Sequence, residues 1–308
     1  MRFAAYRQNS VEGLAAADGR GPFHGLAATD ARHPGSLASL VAAGRERLLA
    51  AGRALLAAPQ IDLDAVELLP PLPAPPKILC IGLNYADHSA ESGFEVPRYP
   101  TVFGRFASSL IGHGAPLVRP RLSEQLDYEG EFVAVIGRGG RDIPKARALD
   151  HVAGYSLFND ASIRDYQFRS PQWTVGKNFD GTGAFGPWLV TADALPPGCG
   201  GLRLQTRLNG EVVQSASTDD LVFDVATLVS VLSEAFTLQA GDIIVTGTPS
   251  GVGFARKPPL WMKPGDVCEV EMDGLGVLRN AVVDQEGVAG PFAVAPLSQR
   301  PGTGARPV

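Results

Sequence analysis

The chain has 308 residues and a formal net charge of −5, so it lacks the basic surplus expected of a nucleic-acid-binding protein. No run of about 18 apolar residues predicts a membrane-spanning helix, and the first residues lack the apolar stretch of a signal peptide. Three cysteines without paired spacing, Cys80, Cys199 and Cys268, favour a reducing compartment over a disulfide framework. We therefore expect a cytoplasmic protein of one or two domains, with no nucleic acid and no membrane among its partners.

Residues 1–68 predict a small N-terminal region. Residues 2–6 are typical of a strand, and a leucine- and alanine-rich helix is predicted from Ser36, a suitable N-cap, to a stop at Pro59. Residues 69–76 read Leu-Pro-Pro-Leu-Pro-Ala-Pro-Pro, a composition that favours a stiff, extended connector. We place the boundary of the N-terminal region at this linker.

A short apolar run over residues 77–83 predicts a buried strand, after which Asn84 is suited to cap a short helix. His88 and Glu91 lie three residues apart and would share one face of that helix. A carboxylate beside an imidazole orients it as a general base, although a solvated polar turn would use the same residues. The segment reaches Gly93, and its short length between breakers is typical of a lid that closes over a ligand.

Arg105 follows next and lies among apolar residues. Its planar guanidinium is suited to clamp a substrate carboxylate through two parallel hydrogen bonds. It is equally suited to pair with a structural Asp or Glu. The residues alone leave both roles open, and we assign Arg105 to the substrate as a working prediction.

Apolar and β-branched residues over 132–136 predict a buried strand with Glu129 and Glu131 at its entrance. Residues two apart on a strand project from the same face, so both carboxylates would occupy one small volume. Such like charges need a cation or a shared proton, unless the strand end is solvated. A second strand, over residues 151–158, ends abruptly in Asn-Asp, which offers Asp160 as a third carboxylate or as the N-cap of the next segment.

Lys177 is flanked by glycine, asparagine and aromatic residues rather than by other charges. It is suited to stabilise an anion or to act with a depressed pKa, the alternative being an ordinary surface lysine. A strand predicted over residues 241–246 opens into a glycine-rich loop at 247–253. Backbone N–H groups and the Thr248 hydroxyl would reach an anion there.

The second half of the chain also predicts two hairpins and one helix. The first hairpin turns at Asn209-Gly210, within residues 202–217, and the second lies within 267–283. Residues 221–238 have the spacing of an amphipathic helix. The tail over 290–308 is rich in proline and glycine, so we expect it to be loose.

Five segments then occur in one order: Ile-Gly-Leu-Asn-Tyr-Ala-Asp-His-Ser-Ala-Glu (81–91), Leu-Asp-Tyr-Glu-Gly-Glu (126–131), Gly-Tyr-Ser-Leu-Phe-Asn-Asp-Ala-Ser-Ile-Arg (154–164), Gly-Lys-Asn-Phe-Asp (176–180) and Thr-Gly-Thr-Pro-Ser-Gly-Val-Gly (246–253). Together they resemble the fumarylacetoacetate hydrolase family over residues 77–284, which we take as the catalytic domain. The resemblance implies an α+β, strand-rich fold, a mixed β-roll with peripheral short helices, and usually a homodimer.

The resemblance also implies roles for individual residues. The ligands of Mg²⁺ or Mn²⁺ would be Glu129, Glu131 and Asp160, the lid dyad that activates water would be His88 with Glu91, and the substrate contacts would be Gln167, Lys177 and Thr248. Arg105 stands where many members carry lysine. Three carboxylate oxygens suit a hard cation such as Mg²⁺, and Lys177 would offset the remaining negative charge.

We therefore predict a divalent-metal-dependent hydrolase that cleaves the C–C bond of an acylpyruvate-like 1,3-diketo acid. His88, assisted by Glu91, would deprotonate the attacking water, and a pyruvate enolate would leave, stabilised by the metal and Lys177. Alternatives on the same metal site are decarboxylation of oxaloacetate-like acids and isomerisation or hydration in the meta-cleavage pathways of aromatic catabolism. A non-catalytic binder of 2-oxo acids is the alternative from another class. In every case the partner is a small anionic 2-oxo acid.

Overall fold

A computed structural model describes residues 1–91 and 95–286 of the chain. The strands of these residues are β1 (Arg2–Gln8), β2 (Val11–Ala17), β3 (Phe23–Ala27), β4 (Gln60–Ile61), β5 (Glu67–Leu68), β6 (Ile78–Gly82), β7 (Thr101–Gly104), β8 (Leu110–Ile111), β9 (Leu117–Arg119), β10 (Leu126–Asp127), β11 (Gly130–Ile136), β12 (Val152–Asp160), β13 (Ser162–Ile163), β14 (Gly183–Thr191), β15 (Arg203–Leu208), β16 (Glu211–Ser217), β17 (Ile243–Val245), β18 (Val267–Met272) and β19 (Gly276–Asp284). The helices are α1 (Leu37–Ala42), α2 (Arg45–Leu55), α3 (Ala86–Glu91), α4 (Arg164–Gln167), α5 (Thr174–Lys177) and α6 (Val225–Ala235). Strands dominate and the helices are short, which confirms the predicted α+β fold class. Each of these helices is too short or too polar to span a bilayer.

Two sheets carry the structure. The larger one has the strand order β4-β3-β2-β1-β14-β12-β11-β17-β6-β7, and the smaller one has the order β16-β15-β18-β19-β9. Leu204 and Val270 of the smaller sheet share an apolar core with Phe132 and Leu157 of the larger sheet. Burial of this shared face holds the two sheets together as the predicted roll.

Four strand ends meet at one edge of the larger sheet. β17 runs parallel to β6, so both strands open at that edge, β17 into the glycine-rich loop and β6 into the lid segment. β11 is antiparallel to β17 and begins there, and β12 is antiparallel to β11 and ends there. Glu129 immediately precedes β11, and Asp160 is the last residue of β12. Strand register therefore brings the two predicted carboxylate segments together.

The N-terminal strands extend the larger sheet. β1 pairs with β14, with Phe3 opposite Leu189. Phe3, Leu14 and Leu48 share an apolar core with Phe158 of β12. Residues before and after the proline-rich linker thus contribute to one buried surface. The predicted division of the chain at residues 69–76 stays a prediction about folding units.

The helix predicted from Ser36 to residue 58 is wrong in its length. Ser36 does cap α1, because its side chain accepts a hydrogen bond from the Ser39 amide. Gly44 then separates α1 from α2 with a φ of 92°, a backbone conformation that glycine adopts at little cost. The helix predicted over 221–238 is shorter as well, because Asp224 caps α6 at its start.

The hairpin predicted at Asn209-Gly210 is confirmed. Both residues have positive φ, 54° and 83°, as a two-residue turn between twisted antiparallel strands requires. Asn84 does not cap α3. Its side-chain amide instead donates to the carbonyls of Phe223 and Thr246, at 3.1 and 2.7 Å, and thereby ties the base of the lid segment to the body. The tail predicted to be loose, 290–308, lies outside the described residues.

We expect Phe3→Ala to lower the free energy of unfolding by about 3–5 kcal/mol, because it opens a cavity in the core that the N-terminal strands share with β12. Urea unfolding followed by far-ultraviolet circular dichroism measures this. Phe236→Ala is the control, since the Phe236 side chain is 39% exposed and its truncation should cost about 1 kcal/mol or less. A similar small loss for Phe3→Ala would contradict the shared core.

Candidate metal centre and active site

Three acidic side chains form the centre of the site. One carboxylate oxygen from each of Glu129, Glu131 and Asp160 lies within 4.8 Å of the other two, and all three residues are buried. The alternative of a solvated strand end is therefore wrong. An all-oxygen donor set of this kind fits a hard divalent cation, as Mg²⁺ and Mn²⁺ both are. The residues present thus fit the type of metal that the sequence predicts.

Lys177 is buried against this cluster. Its Nζ atom lies 2.5 Å from Glu129 Oε2 and 2.6 Å from Asp160 Oδ2. Burial lowers the pKa of Lys177, but the carboxylates of Asp160 and Glu129 outweigh that effect, and the pKa is raised above its ordinary value. The alternatives of a surface lysine and of a lysine with a depressed pKa are both wrong. Lys177 is a fixed cation at the centre of the site.

Arg105 holds Asp160 from the opposite side. Its Nη1 atom donates to Asp160 Oδ1 at 2.5 Å, its Nη2 atom to Thr182 Oγ1 at 2.7 Å, and its Nε atom to Ser109 Oγ at 3.3 Å. The side chain is fully buried, and it is absent from the walls of the site cavity. This geometry favours the alternative that the sequence left open, an ion pair that orients Asp160, and the substrate-binding role of Arg105 stays a prediction.

Arg164 is a buried site residue that the sequence reasoning missed. Its Nη2 atom lies 2.5 Å from Glu129 Oε1, and its Nε atom donates to Asp127 Oδ2 at 2.8 Å. Its Nη1 atom donates to Gln167 Oε1 at 2.8 Å, which joins it to a predicted substrate contact. The available signal was its position as the last residue of the motif at 154–164. No pattern of neighbouring charges marked it as buried.

The two glutamates that flank Gly130 have opposite electrostatic environments. Burial raises the pKa of Glu129, but Arg164 and Lys177 outweigh it and bring the pKa down to about 2. Burial raises the pKa of Glu131 well above its ordinary range, and the negative charges of Asp160 and Glu129 raise it further. Of the two glutamates, Glu131 is therefore the one whose protonated form the site favours when no divalent cation is bound.

The lid helix α3 brings a histidine to the same cavity. His88 Nδ1 lies 2.9 Å from Glu91 Oε1, and the His88 side chain is 8% exposed. Glu91 also accepts from the Gly251 amide, at 3.0 and 2.9 Å to its two oxygens. The two predicted dyad residues are thus in contact, and α3 is attached to the glycine-rich loop. Gly93, predicted to end the lid helix, lies outside the described residues.

The segment that carries the acidic cluster also anchors the glycine-rich loop. The Tyr128 hydroxyl donates to the Gly251 carbonyl at 3.0 Å, and the Asp127 carboxylate accepts from the amides of Gly253 and Phe254 at 2.7 and 3.0 Å. Gly251 has a φ of 100°, and a Cβ there would lie 2.2 Å from the Val213 carbonyl oxygen. Only glycine fits the position whose amide holds Glu91.

Thr248 and Gln167 line the cavity. Their contact with the substrate stays a prediction. The Thr248 hydroxyl donates to the Gly130 carbonyl at 3.0 Å and accepts from Gln214 Nε2 at 2.9 Å. Gln214 also accepts from the Gly130 amide at 3.0 Å, so it ties the loop to the carboxylate segment. These bonds fix the orientation of Thr248 beside the two glutamates.

The cavity itself is small, with a volume of about 30 Å³. Its polar wall includes His88, Glu129, Arg164, Gln167, Lys177 and Thr248, and its apolar wall includes Phe103, Phe168, Trp173 and Phe254. A compact pocket with convergent polar groups and shifted pKa values is typical of an active site.

A sequence profile described as fumarylacetoacetate (FAA) hydrolase C-terminal matches residues 77–283. The chain belongs to this family. The human mitochondrial oxaloacetate tautomerase FAHD2A is 40% identical over 274 residues, which cover 88% of this chain and 87% of the human protein. The recognition of the family from the five segments is therefore confirmed.

Solved structures agree with this membership. The fumarylacetoacetate hydrolase of the psychrophile Exiguobacterium antarcticum is 37% identical with a TM-score of 0.79, covering 92% of this chain and all of that chain. The maleylpyruvate hydrolase of Sphingobium sp. SYK-6, solved with manganese(II) and pyruvate, is 28% identical with a TM-score of 0.76, covering 93% of this chain and all of that chain. The expected cytoplasmic location and homodimer stay predictions.

Glu129→Gln and Glu131→Gln should change stability in opposite directions at pH 7 in the presence of a chelator. Folding raises the pKa of Glu131, so the wild-type protein loses stability as pH rises through that folded-state pKa. Glu131→Gln removes this loss and should raise the thermal midpoint by about 2–4 °C. The pKa of Glu129 is lowered to about 2, so its charge stabilises the fold above its unfolded-state pKa, and Glu129→Gln should lower the midpoint.

Differential scanning fluorimetry at pH 5 and pH 8 measures both effects, and the gain from Glu131→Gln should be larger at pH 8. Added Mg²⁺ or Mn²⁺ should stabilise the wild-type protein and fail to stabilise either variant, since each lacks one ligand. Equal changes in thermal midpoint for the two variants in chelator would contradict the opposite pKa shifts of Glu129 and Glu131.

Arg105→Leu should lower the free energy of unfolding by about 3–5 kcal/mol without any substrate present, because it leaves Asp160 buried with one fewer cation. Arg119→Leu is the control, because Arg119 pairs with the exposed Asp284 and should contribute about 1 kcal/mol or less. A stable Arg105→Leu protein whose only defect is a raised KM would instead support the substrate-binding role of Arg105.

Proposed function

We propose that the chain is a divalent-metal-dependent enzyme that interconverts the keto and enol forms of a small 2-oxo acid of the oxaloacetate type. The observation that carries this proposal is the shared cavity: His88, held by Glu91, faces the same small space as Glu129, Glu131 and Lys177. Asp160 lies behind that wall, within 4.8 Å of both glutamates. The 40% identity to human oxaloacetate tautomerase over most of both chains supports the choice of reaction.

The charges around the cavity suit an anionic substrate. Four buried carboxylates lie at the cavity wall or directly behind it: Asp127, Glu129, Glu131 and Asp160. Three buried cations pair with them: Arg105, Arg164 and Lys177. With all four carboxylates ionised, their formal charges leave −1, which a bound dication would change to +1. Without the dication, a proton on Glu131 would bring the sum to 0. A site with this balance attracts a 2-oxo dicarboxylate only when it is loaded with metal.

Glu129, Glu131 and Asp160 would hold the cation. When bound, it supplies a Lewis acid for the adjacent carboxylate and 2-oxo oxygens of the substrate. Lys177, protonated and fixed between Glu129 and Asp160, adds positive charge where negative charge develops on the 2-oxo oxygen. Arg164 and Gln167 present donors from the same wall to the carboxylate groups.

His88 would move the proton. With Nδ1 donating a hydrogen bond to Glu91, Nε2 would be the ring nitrogen that accepts a proton. That atom takes a proton from C3 of the keto acid, the C3–H electron pair becomes the C2–C3 double bond, and the oxygen at C2 receives the proton. The reverse sequence returns the keto form. No water is consumed.

Hydrolysis of an acylpyruvate, the reaction predicted from the sequence, is the second candidate. The His88–Glu91 pair favours it as well, because the same base would deprotonate a water molecule. The structural similarity to a maleylpyruvate hydrolase solved with manganese(II) and pyruvate points in the same direction. The two reactions differ in whether a C–C bond breaks.

The test follows the ultraviolet absorbance of enol-oxaloacetate and of a small acylpyruvate panel, with Mg²⁺, Mn²⁺ or a chelator. We expect faster loss of enol-oxaloacetate with metal, with oxaloacetate retained. Release of pyruvate and a carboxylic acid from acylpyruvates would favour the hydrolase, and release of CO₂ from oxaloacetate would favour the decarboxylase. Metal-dependent binding of these acids without turnover would favour a non-catalytic binder and contradict the proposal.

His88→Gln should lower kcat by about 10²–10⁴-fold, because it removes the proton-transferring group. Its stabilisation by Mg²⁺ should stay that of the wild-type protein. Asp87→Asn is the matched control, since Asp87 is the exposed neighbour on the same helix and should keep full activity. Full activity of His88→Gln would show that another group carries the proton.

A further inference from the structure

The loop between α4 and α5, residues 168–173, has no role in the chemistry described above. It begins directly after Gln167, and α5, which follows it, ends at Lys177. Its first and last residues, Phe168 and Trp173, both line the cavity. The loop therefore connects two parts of the polar wall and contributes one aromatic ring at each of its ends.

Trp173 closes one side of the cavity. Its ring lies on the backbone of Gly82, where a Cβ would be only 2.3 Å from Trp173 Cζ3. It also packs edge-on against Phe103, with 5.6 Å between ring centroids. The Phe103 ring centroid in turn lies 5.0 Å from Lys177 Nζ. A line of contacts thus runs outward from the acidic cluster through Lys177 and Phe103 to Trp173.

Phe168 closes another side in the same manner. Its ring packs edge-on against Phe254 with 5.6 Å between centroids, and Arg164 Cζ lies 4.5 Å from the Phe254 centroid. Arg164 and Lys177, the two cations in contact with Glu129, are each covered by a pair of aromatic rings. The outer ring of each pair comes from the 168–173 loop. We call Phe103, Phe168, Trp173 and Phe254 the aromatic roof.

We propose that the aromatic roof restricts the substrate to short 2-oxo acids of about four carbons, with Trp173 as the residue that determines this limit. The inference rests on the proposed function and names its substrate class. Phe168 and Trp173 line the cavity, and each is packed edge-on against a second ring, so a longer distal group must displace a ring. The four rings of the roof offer that group no charged partner, because Arg164 and Lys177 lie beneath Phe254 and Phe103.

A short dicarboxylate avoids this conflict. Its distal carboxylate remains near Arg164 and Gln167, whose side chains are already joined at 2.8 Å. Each added methylene or ring would instead push the distal group toward Phe168 and Trp173. Because the Trp173 ring rests on Gly82, its seat exists only while residue 82 lacks a side chain.

The test compares oxalate with phenylglyoxylate by isothermal titration calorimetry in the presence of Mg²⁺. Both present two adjacent oxygens to a metal, and neither has an enolisable carbon. They differ in charge and in the phenyl group, so the change in phenylglyoxylate affinity between variants, at constant charge, reports on the roof. The wild-type protein should bind oxalate at least tenfold more tightly than phenylglyoxylate. Trp173→Ala should bind phenylglyoxylate at least tenfold more tightly than the wild-type protein does, with oxalate affinity nearly unchanged.

Trp173→Phe should retain most of the discrimination, and Gln172→Ala, at the exposed neighbouring position, should match the wild-type protein. Gly82→Ala should relax discrimination as Trp173→Ala does, by displacing the ring from its seat. Equal affinity of the wild-type protein for both probes, or unchanged discrimination in Trp173→Ala, would overturn the proposal.

Kinetics form a separate part of the test. The ratio of kcat/KM for oxaloacetate to that for a phenyl-bearing 2,4-dioxo acid should fall about tenfold or more in Trp173→Ala. Absence of turnover in every variant, together with the expected binding pattern, would overturn the proposed reaction and leave the roof supported. Turnover of oxaloacetate together with unaltered discrimination would overturn the roof alone.

Discussion

The buried cluster of negative charge at the start of β11 is the constraint on which the rest of the structure depends. Glu129, Glu131 and Asp160 are drawn together in an interior where like charges repel strongly. Lys177 lies between Glu129 and Asp160, and Arg105 pairs with the other oxygen of Asp160. Each of these cations is buried and costly by itself, so cluster and cations are stable only together.

The same short segment of sequence performs two tasks, and this joins the lid to the metal centre. Glu129 and Glu131 face the cavity, whereas Asp127 and Tyr128, just before them, hold the backbone of the glycine-rich loop. That loop presents the Gly251 amide to the lid carboxylate. A lid fixed at that point places its histidine beside the cluster, so the base and the acidic centre share one set of supports.

Arginine and lysine positions show where sequence reasoning reaches its limit. The Glu-x-Glu spacing is enough to place two carboxylates on one strand face, because strand periodicity is local. Arg105 lies 55 residues from Asp160, and Arg164 lies 35 residues from Glu129, so no spacing rule connects either pair. Their roles follow from which strands pair and in what register. The roof follows the same logic, since Trp173 meets Gly82 and Phe103 only in the folded chain.

The sequence by itself determined the family, from five motifs in one order, and the strand-rich fold. It also predicted the three carboxylates and the lid pair, because Glu129 with Glu131 and His88 with Glu91 depend on local periodicity and Asp160 follows directly on a predicted strand. Only the tertiary structure decided that Arg105 orients Asp160, that Lys177 keeps a raised pKa, and that Arg164 belongs to the site. It also joined the N-terminal strands to β14. The physical reason is that burial and ion pairing depend on contacts between distant segments, and those contacts exist only once the sheet has formed.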